Sequence, residues 1–552
     1  MEQTITSSSS PLVVPTSRQA VAVREAAARL GIDELRPSQT RAIDASLAGR
    51  DVLMVLPTGF GKSVCYQIPS MLMRRPVVVV SPLRALLRDQ QLKLDKRGIP
   101  CVKLDGTLRG RKRREALERI AAGEPVLVMT TPETLEAVDV HPLLARTGIG
   151  LAAVDEAHCI SEWGHDFRPS YSRIGAMLKK LGSPPVLALT ATATPRVRST
   201  IVSSLGMRDH ELVASSPHRS NLSFEVIPCE GDERLRALIR LMKRLRRPGI
   251  IYCATRRETD GVHALLRRFG VPAYRYHGKM TSKERDAQQK RFMRPRHRGI
   301  MVATNAFGLG IDKRDIRYIL HYQAPASLEQ YVQEAGRAGR DGRKANCILM
   351  ADPRDRSIHE ALLARSRVRP DQLYRLGRAL GAWAGEGRSP SLEALAVSAE
   401  LGPRVVAALL VKLEEAGLVS REEDEIRITV SPHAIEDEAR GLAGQFETLR
   451  TQDNRRLDSL GVYARTTECR ASFLRVYFGE EDAEPCELCD NCEQRKPRSA
   501  GFFAPLRAPE PKQKKKTKRK RGRAKEAKQK KTKRKSRRGR RKPRARRKPR
   551  SE

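Results

Sequence analysis

The sequence predicts an α/β protein built on two doubly wound parallel-sheet lobes, with smaller units after them. Three observations carry this expectation. Short apolar runs alternate with amphipathic stretches from about Ser17 to Pro353. The runs are continuous rather than alternating, as in strands buried on both faces. At 552 residues the chain also exceeds what one core accommodates, which suggests roughly three to five units.

The predicted strands of the first lobe are Asp51–Leu56, Val77–Ser81, Val126–Thr130, Leu151–Asp155 and Val186–Thr190. Those of the second are Gly249–Cys253, Ile300–Thr304, Tyr318–Tyr322 and Ala345–Met350, with a join near Ser215–Asn221. After Pro353 the pattern changes. Pro370–Trp383, Leu392–Ser398 and Arg404–Ala416 read as helices, Gly417 as a C-cap, and Leu418–Ser420 and Ile426–Val430 as a ribbon around the acidic turn Arg421–Glu425. This is the order of a winged helix. Arg440–Glu480 reads as helical. The expected boundaries are a disordered 1–17, lobes at 18–212 and 213–355, a winged-helix-like module at 356–432, a zinc-binding helical segment at 433–500 and a disordered Lys/Arg tail at 501–552.

Charge narrows the partner. From Lys512 to Arg550 there are 26 Lys and Arg, and Glu526 and Glu552 are the only acids beyond Pro511, so +24 of the formal +42 sits there and +18 remains for the body. A polyanion, nucleic acid above all, is the expected partner even without the tail. The tail cannot bury a core. Met1–Ser10 does not read as a secretory signal, and no apolar stretch reaches bilayer length, so no membrane partner is expected. Six scattered cysteines inside an α/β pattern read as reduced, favouring a cytoplasmic setting, nucleoid-associated in a bacterium.

Leu56-Pro57-Thr58-Gly59-Phe60-Gly61-Lys62-Ser63 follows a strand and opens a helix. Backbone N–H groups of such a loop cradle phosphates, Lys62 adds a cation, and Ser63 can ligate Mg²⁺. Leu56 replaces the usual first glycine, but the strand–loop–helix context keeps the reading. Asp155-Glu156-Ala157-His158 ends another strand, where one carboxylate can hold Mg²⁺ and its neighbour can accept a proton from water. Gln333–Gly342 sets Arg337 and Arg340 among small residues that permit close approach to another lobe. Arginine suits a site where charge builds on a transferring phosphoryl group. Cys469, Cys486, Cys489 and Cys492 form C-x16-C-x2-C-x2-C, four thiolates that suit a closed, structural Zn²⁺ site. A disulfide pairing is the alternative, and the cytosolic reading disfavours it.

These residues resemble superfamily 2 helicases, and more narrowly the RecQ family. Leu35-Arg36-Pro37-Ser38-Gln39 resembles the RecQ adenine-recognition motif. Stretches 81–90, 131–133, 190–192 and 302–313 are similar to motifs Ia, Ib, III and V, and 159–169 to the RecQ aromatic-rich loop. Thr467–Arg470 with Tyr477–Glu480 resembles the RecQ zinc-binding domain. The resemblance implies RecA-like lobes that use ATP and Mg²⁺. It assigns the nucleotide to Arg36, Gln39, Thr58, Gly59, Gly61, Lys62, Ser63, Asp155, Gly310 and Asp312. Glu156 and Lys62 would be catalytic, with Arg340 as the finger and Arg337 beside it. His158 would link to motif III, and Trp163, Phe167 and Arg168 would couple single-stranded DNA to hydrolysis. It also implies 3′→5′ movement on DNA, duplex junctions as substrates, and roles in repair and recombination. Protein partners stay open.

One departure from the family stands out. The winged-helix-like segment precedes the zinc cysteines, whereas a typical RecQ places its winged helix after them. The wing is acidic (Glu422, Glu423, Asp424, Glu425) and the third helix offers only Arg404 and Lys412, so a structural or protein-contact role is expected. Two other readings compete: an RNA helicase or remodeller, and an architectural DNA-binding protein dominated by its tail.

Overall fold

The computed structural model describes residues 4–5 and 17–495, apart from 83, 162–167, 296, 309–310, 312, 367–368, 423–424 and 432–433. The expected basic tail, Trp163, Phe167, Gly310, Asp312, Glu423 and Asp424 therefore lie outside the described residues, as does the side chain of Arg404.

The first lobe is an eight-stranded sheet. Its strands are β1 (Thr4–Ile5), β2 (Val52–Val55), β3 (Val77–Val80), β4 (Cys101–Leu104), β5 (Leu127–Thr130), β6 (Leu151–Val154), β7 (Val186–Thr190) and β8 (Glu211–Ser215), in the order β1-β8-β2-β7-β6-β3-β5-β4. All pairings are parallel except β1 with β8. Successive residues serve opposite faces. Leu53 and Val55 enter one apolar cluster while Val52 and Met54 enter the other. That two-sided burial is what a continuous apolar run encodes, and each fully buried Val or Leu contributes about 1.5–3 kcal/mol.

The second lobe has β9 (Leu222–Pro228), β10 (Gly249–Tyr252), β11 (Ala273–Tyr276), β12 (Ile300–Ala303), β13 (Tyr318–His321) and β14 (Ala345–Ala351). Their order is β11-β12-β10-β13-β14-β9, all parallel. The two parallel-sheet lobes agree with the sequence expectation; two of the expected boundaries do not. β8 runs through residue 215 within the first sheet, so a division at 212/213 would cut a paired strand. Thr4–Ile5 pairs with β8, which corrects the expectation of a wholly disordered 1–17: β8 offers its outer backbone groups, and two residues suffice to take them.

Beyond the lobes, helices Pro370–Gly385, Leu392–Ser398 and Pro403–Glu415 precede the ribbon β15 (Val419–Glu422) and β16 (Glu425–Ile428). The strands reach further into the acidic turn than its charge suggested, with Glu422 paired to Glu425. This module has its own apolar cluster, from Leu373 to Ala443. Gly417, at φ +72°, lets the turn after the third helix press against the Arg173 guanidinium of the first lobe, which itself pairs with Glu136 at 2.7 Å. The expected helix Arg440–Glu480 is two helices, Ala434–Arg465 and Arg470–Tyr477. The chain breaks there so that Cys469 can cap the second and face the other cysteines. Among the described residues no helix is long and apolar enough to cross a membrane.

Candidate functional site

The loop between β2 and the helix Val64–Leu72 turns on Gly59 (φ +91°) and Gly61 (φ +74°), conformations open to glycine at little cost. Crowding adds a second reason for each glycine. A Cβ on Gly61 would stand 2.7 Å from Gln39 Nε2, and one on Gly59 would stand 3.2 Å from Arg340 Nε. Gln39 is buried against this loop. Its amide donates to the carbonyls of Phe60 (3.0 Å) and Gly61 (3.2 Å) and accepts from Arg36 N–H (2.9 Å). The Arg36 guanidinium lies 4.3 Å above the Phe60 ring. Thr58 Cβ would be 3.7 Å from a Cβ on Gly336 of the second lobe, so the two lobes meet at this loop.

Lys62 Nζ donates to Leu56 O at 2.8 Å. Burial lowers its pKa, and the neighbouring Glu156 and Asp155 oppose that shift. Asp155 is pushed up to about 7, first by burial and then by the Glu156 charge beside it. A buried carboxylate short of positive charge is a fitting place for a cation. Ser63 Oγ, steadied by Gln90 Nε2 at 3.2 Å, could offer a cation a neutral oxygen ligand. Gln90 also accepts from Tyr66 Oη at 2.6 Å. It ties the stretch resembling motif Ia to the phosphate loop.

Glu156 holds a left-handed backbone (φ +51°), a conformation costing of order 1 kcal/mol that persists where surrounding structure imposes it. Its Oε2 is buried without a hydrogen-bond partner among the described residues and lies 3.4 Å from His158 Nδ1. The same nitrogen is 3.0 Å from Thr190 Oγ1, which in turn accepts from Thr192 N–H and donates to Thr192 O. The link continues through Arg198, whose Nε donates to Ala193 O (3.0 Å) and whose Nη2 donates to Phe478 O (2.8 Å) in the zinc region. Arg168 donates to Pro82 O at 3.4 Å.

From the second lobe, the helix Leu328–Ala335 ends in the turn that carries Arg337 and Arg340. Arg340 lies over Gly59 and donates to Ile311 O at 2.8 Å. Arg337 is buried against Gly308, where a Cβ would stand 3.0 Å from its Nη2. Sequence reasoning missed what holds the turn. Arg219, in the join between lobes, donates to Gly336 O (3.1 Å) and to Gly339 O, and Asn221 donates to Gly339 O and Arg343 O at 2.8 Å each. No motif marks these two residues. Their only signal was their place in a short join.

The Sγ atoms of Cys469, Cys486, Cys489 and Cys492 all lie within 4.8 Å of one another, and all four are free of disulfides. Tetrahedral Zn–S bonds of about 2.3 Å place sulfurs roughly 3.8 Å apart, so the set fits Zn²⁺. Backbone N–H groups point at the sulfurs as they would at thiolates: Cys486 N and Ser472 N at Cys469, and Arg470 N at Cys489. Asp490 pairs with Arg470 at 2.5 Å and accepts from Val226 N at 2.9 Å, which fastens the segment to β9.

A glycine-turned loop before a helix on one parallel α/β lobe, with Arg340 of a second such lobe resting on it, is the arrangement of two-lobed helicase motors. Three family models match in order: DEAD/DEAH box helicase over residues 36–200, helicase conserved C-terminal domain over 233–342, and RecQ zinc-binding over 433–493. The chain is 33% identical over 480 residues to the Synechocystis ATP-dependent DNA helicase RecQ, covering 84% of this chain and 96% of that one. It is 32% identical over 465 residues to the Bacillus subtilis RecQ, covering 84% and 65%, and 38% identical over 336 residues to the Xenopus laevis RecQ-like DNA helicase BLM, covering 58% and 24%. This chain thus spans about two thirds or less of those last two relatives. A crystal structure of the DUF1998 helicase MrfA bound to DNA shares the fold, with a TM-score of 0.51 at 20% identity over 75% of this chain and 63% of that one. The chain belongs to the RecQ family.

Proposed function

We propose that this protein is an ATP-dependent DNA helicase that moves 3′→5′ along single-stranded DNA and unwinds duplex DNA, acting in the cytoplasm in repair and recombination. The observation that carries the reading is Arg340, which reaches from the second lobe onto Gly59 of the first lobe's phosphate loop. A nucleotide held there would touch both lobes, so its hydrolysis would change how they meet.

Gln39 and Arg36 would read and flank the base, while Thr58, Gly59, Gly61 and Lys62 would hold the phosphates. Ser63 and Asp155 would hold Mg²⁺, which when bound supplies positive charge at the phosphate oxygens. Glu156 would take the proton of the attacking water; its buried Oε2, which accepts no hydrogen bond among the described residues, is suited to receive it. Arg340 would neutralise the charge that develops, with Arg337 beside it. Gly310 and Asp312 join the nucleotide set by resemblance, as Trp163, Phe167 and Arg168 join the DNA-coupling set. His158 would relay through Thr190.

ATPase rates with single-stranded DNA and with RNA of matched length test the substrate, and duplexes with a 3′ or a 5′ overhang test direction. Stimulation by DNA and opening of the 3′-tailed duplex are expected. Preference for RNA would transfer the motor to the competing class, and turnover indifferent to both would leave an architectural protein. Trp163→Ala should keep basal ATPase and lose DNA stimulation; unchanged stimulation would remove Trp163 from the coupling role.

A further inference from the structure

The second lobe carries a basic face that the nucleotide site does not use. Because its six strands are all parallel, every loop that precedes a strand emerges at one edge of the sheet. Four such loops, 243–247, 294–298, 313–317 and 341–344, lead into β10, β12, β13 and β14, which are neighbours in the sheet. Their described residues include eleven Lys and Arg against Asp315 and Asp341. The stretch resembling motif V starts at the opposite end of β12.

Within this face lies a cavity of ≈ 590 Å³ lined by Arg246, Arg247, Arg298 and Arg317. Arg317 is held in place: its Nη2 donates to both oxygens of Asp341 at 2.6 Å, and its Nε donates to Asp315 O at 2.9 Å. Arg246, Arg247 and Arg298 make no ion pair with any carboxylate among the described residues. Uncompensated guanidinium groups gathered in one cavity repel one another, and an anion relieves that repulsion.

The lining itself narrows the anion. Among the described residues no aromatic side chain lines the cavity to stack a base, and no carboxylate to grip a ribose. The arginines precede three adjacent strands, so they spread over roughly 10 Å rather than converging on one point. A lone phosphate would engage one or two of them. Roughly 10 Å of duplex presents about six phosphate charges, and planar guanidinium forks suit phosphate oxygens.

We propose that this edge of the second lobe is a separate, sequence-independent binding site for the phosphodiester backbone of duplex DNA. It holds a nucleic-acid segment other than the strand being translocated. The inference rests on the DNA-motor reading but can fail independently of it. Since Asp341 directly follows Arg340, a backbone bound at Arg317 would lie one residue from the arginine turn.

The test uses the full chain, with the single-strand track filled by a saturating short oligonucleotide. Binding of a labelled duplex of about 20 base pairs is then followed across a salt series. R246E/R247E/R298E should weaken duplex binding at least tenfold at low salt and shallow the log–log salt slope by about 2.7, three contacts at roughly 0.9 each. R246K/R247K/R298K keeps the charge and should keep the slope. The tail contributes alike to all three proteins. ATPase stimulated by the short strand should be unchanged in both variants, which also reports that they fold. Equal slope and affinity in the charge-reversal variant would overturn the site while leaving the motor intact. With poly-glutamate as a polyanion that lacks phosphate, a charge-reversal variant that loses affinity for it but keeps its duplex slope would overturn the phosphodiester assignment. Absence of any DNA stimulation in the unmodified chain would instead count against the motor reading.

Discussion

The two lobes share one architecture and hold their functional cations in opposite ways. In the first, Lys62 is drawn inward to a backbone carbonyl, with Asp155 and Glu156 close by. In the second, Arg337 and Arg340 ride on a turn clamped by neutral acceptors, the carbonyls that receive Arg219 and Asn221. The first site sets two carboxylates against one lysine and so leaves a place for a cation. The second brings positive charge to a place where negative charge must develop. A parallel sheet by itself dictates neither arrangement; the loops at its edges do. Nucleotide binding should therefore belong mainly to the first lobe, and turnover to both.

Removing the second lobe's contribution tests this division most severely. Arg340→Ala should lower ATP turnover by about 10³-fold or more, the usual scale of an arginine finger, while nucleotide affinity changes far less. Comparable losses in binding and turnover would erase the distinction between the lobes.

Within the first lobe, Glu156→Gln should cost about 10²–10⁴-fold in turnover and still bind ATP, because its carboxylate serves chemistry. Lys62→Ala should lose binding as well. Single-turnover rates alongside nucleotide titration separate the two, and near-normal turnover in either variant would sink the assignment.

The zinc segment sharpens the comparison, since it touches both lobes: Asp490 binds β9, and Phe478 O receives Arg198. Elemental analysis should find one Zn²⁺ per chain, and Cys489→Ser should abolish it and make the C-terminal region protease-sensitive, because such sites supply folding energy directly. Arg198→Ala should leave zinc in place and reduce DNA-stimulated turnover only severalfold, a loss on the order of one hydrogen bond. Wild-type stimulation in that variant would reduce Arg198 to packing.

The smallest effect on chemistry is expected from the tail. Truncation at Glu510 should raise the DNA concentration needed for stimulation and shallow its salt dependence, by about 0.7–0.9 in log–log slope per lost phosphate contact. Saturated ATPase turnover should hardly change. Identical DNA binding with and without the tail would leave it no role in affinity.

How much was legible follows strand position closely. The runs that reveal β2, β3, β5, β6, β7, β10, β12, β13 and β14 are all in the interior of their sheets. The strands that went unread are the edge strands β4, β9 and β11, the two-residue β1, and β8, which only β1 covers. Edge strands face water on one side, so β4 carries Lys103 and β11 carries Arg275, and the apolar run breaks. The helical break before Cys469 escaped for a related reason: only the metal-site geometry asks for it.

The sequence by itself determined the interior strands, the glycine turns of the phosphate loop, the carboxylates after β6 and the four cysteines, because each depends on residues close in the chain. Tertiary structure alone decided that Arg340 rests on Gly59, that Arg219 and Asn221 clamp its turn, that Arg198 reaches the zinc region, and that four arginines from three loops line one cavity. Those contacts join residues far apart along the chain, and only the packing of whole elements, driven by burial of their apolar faces, brings them together.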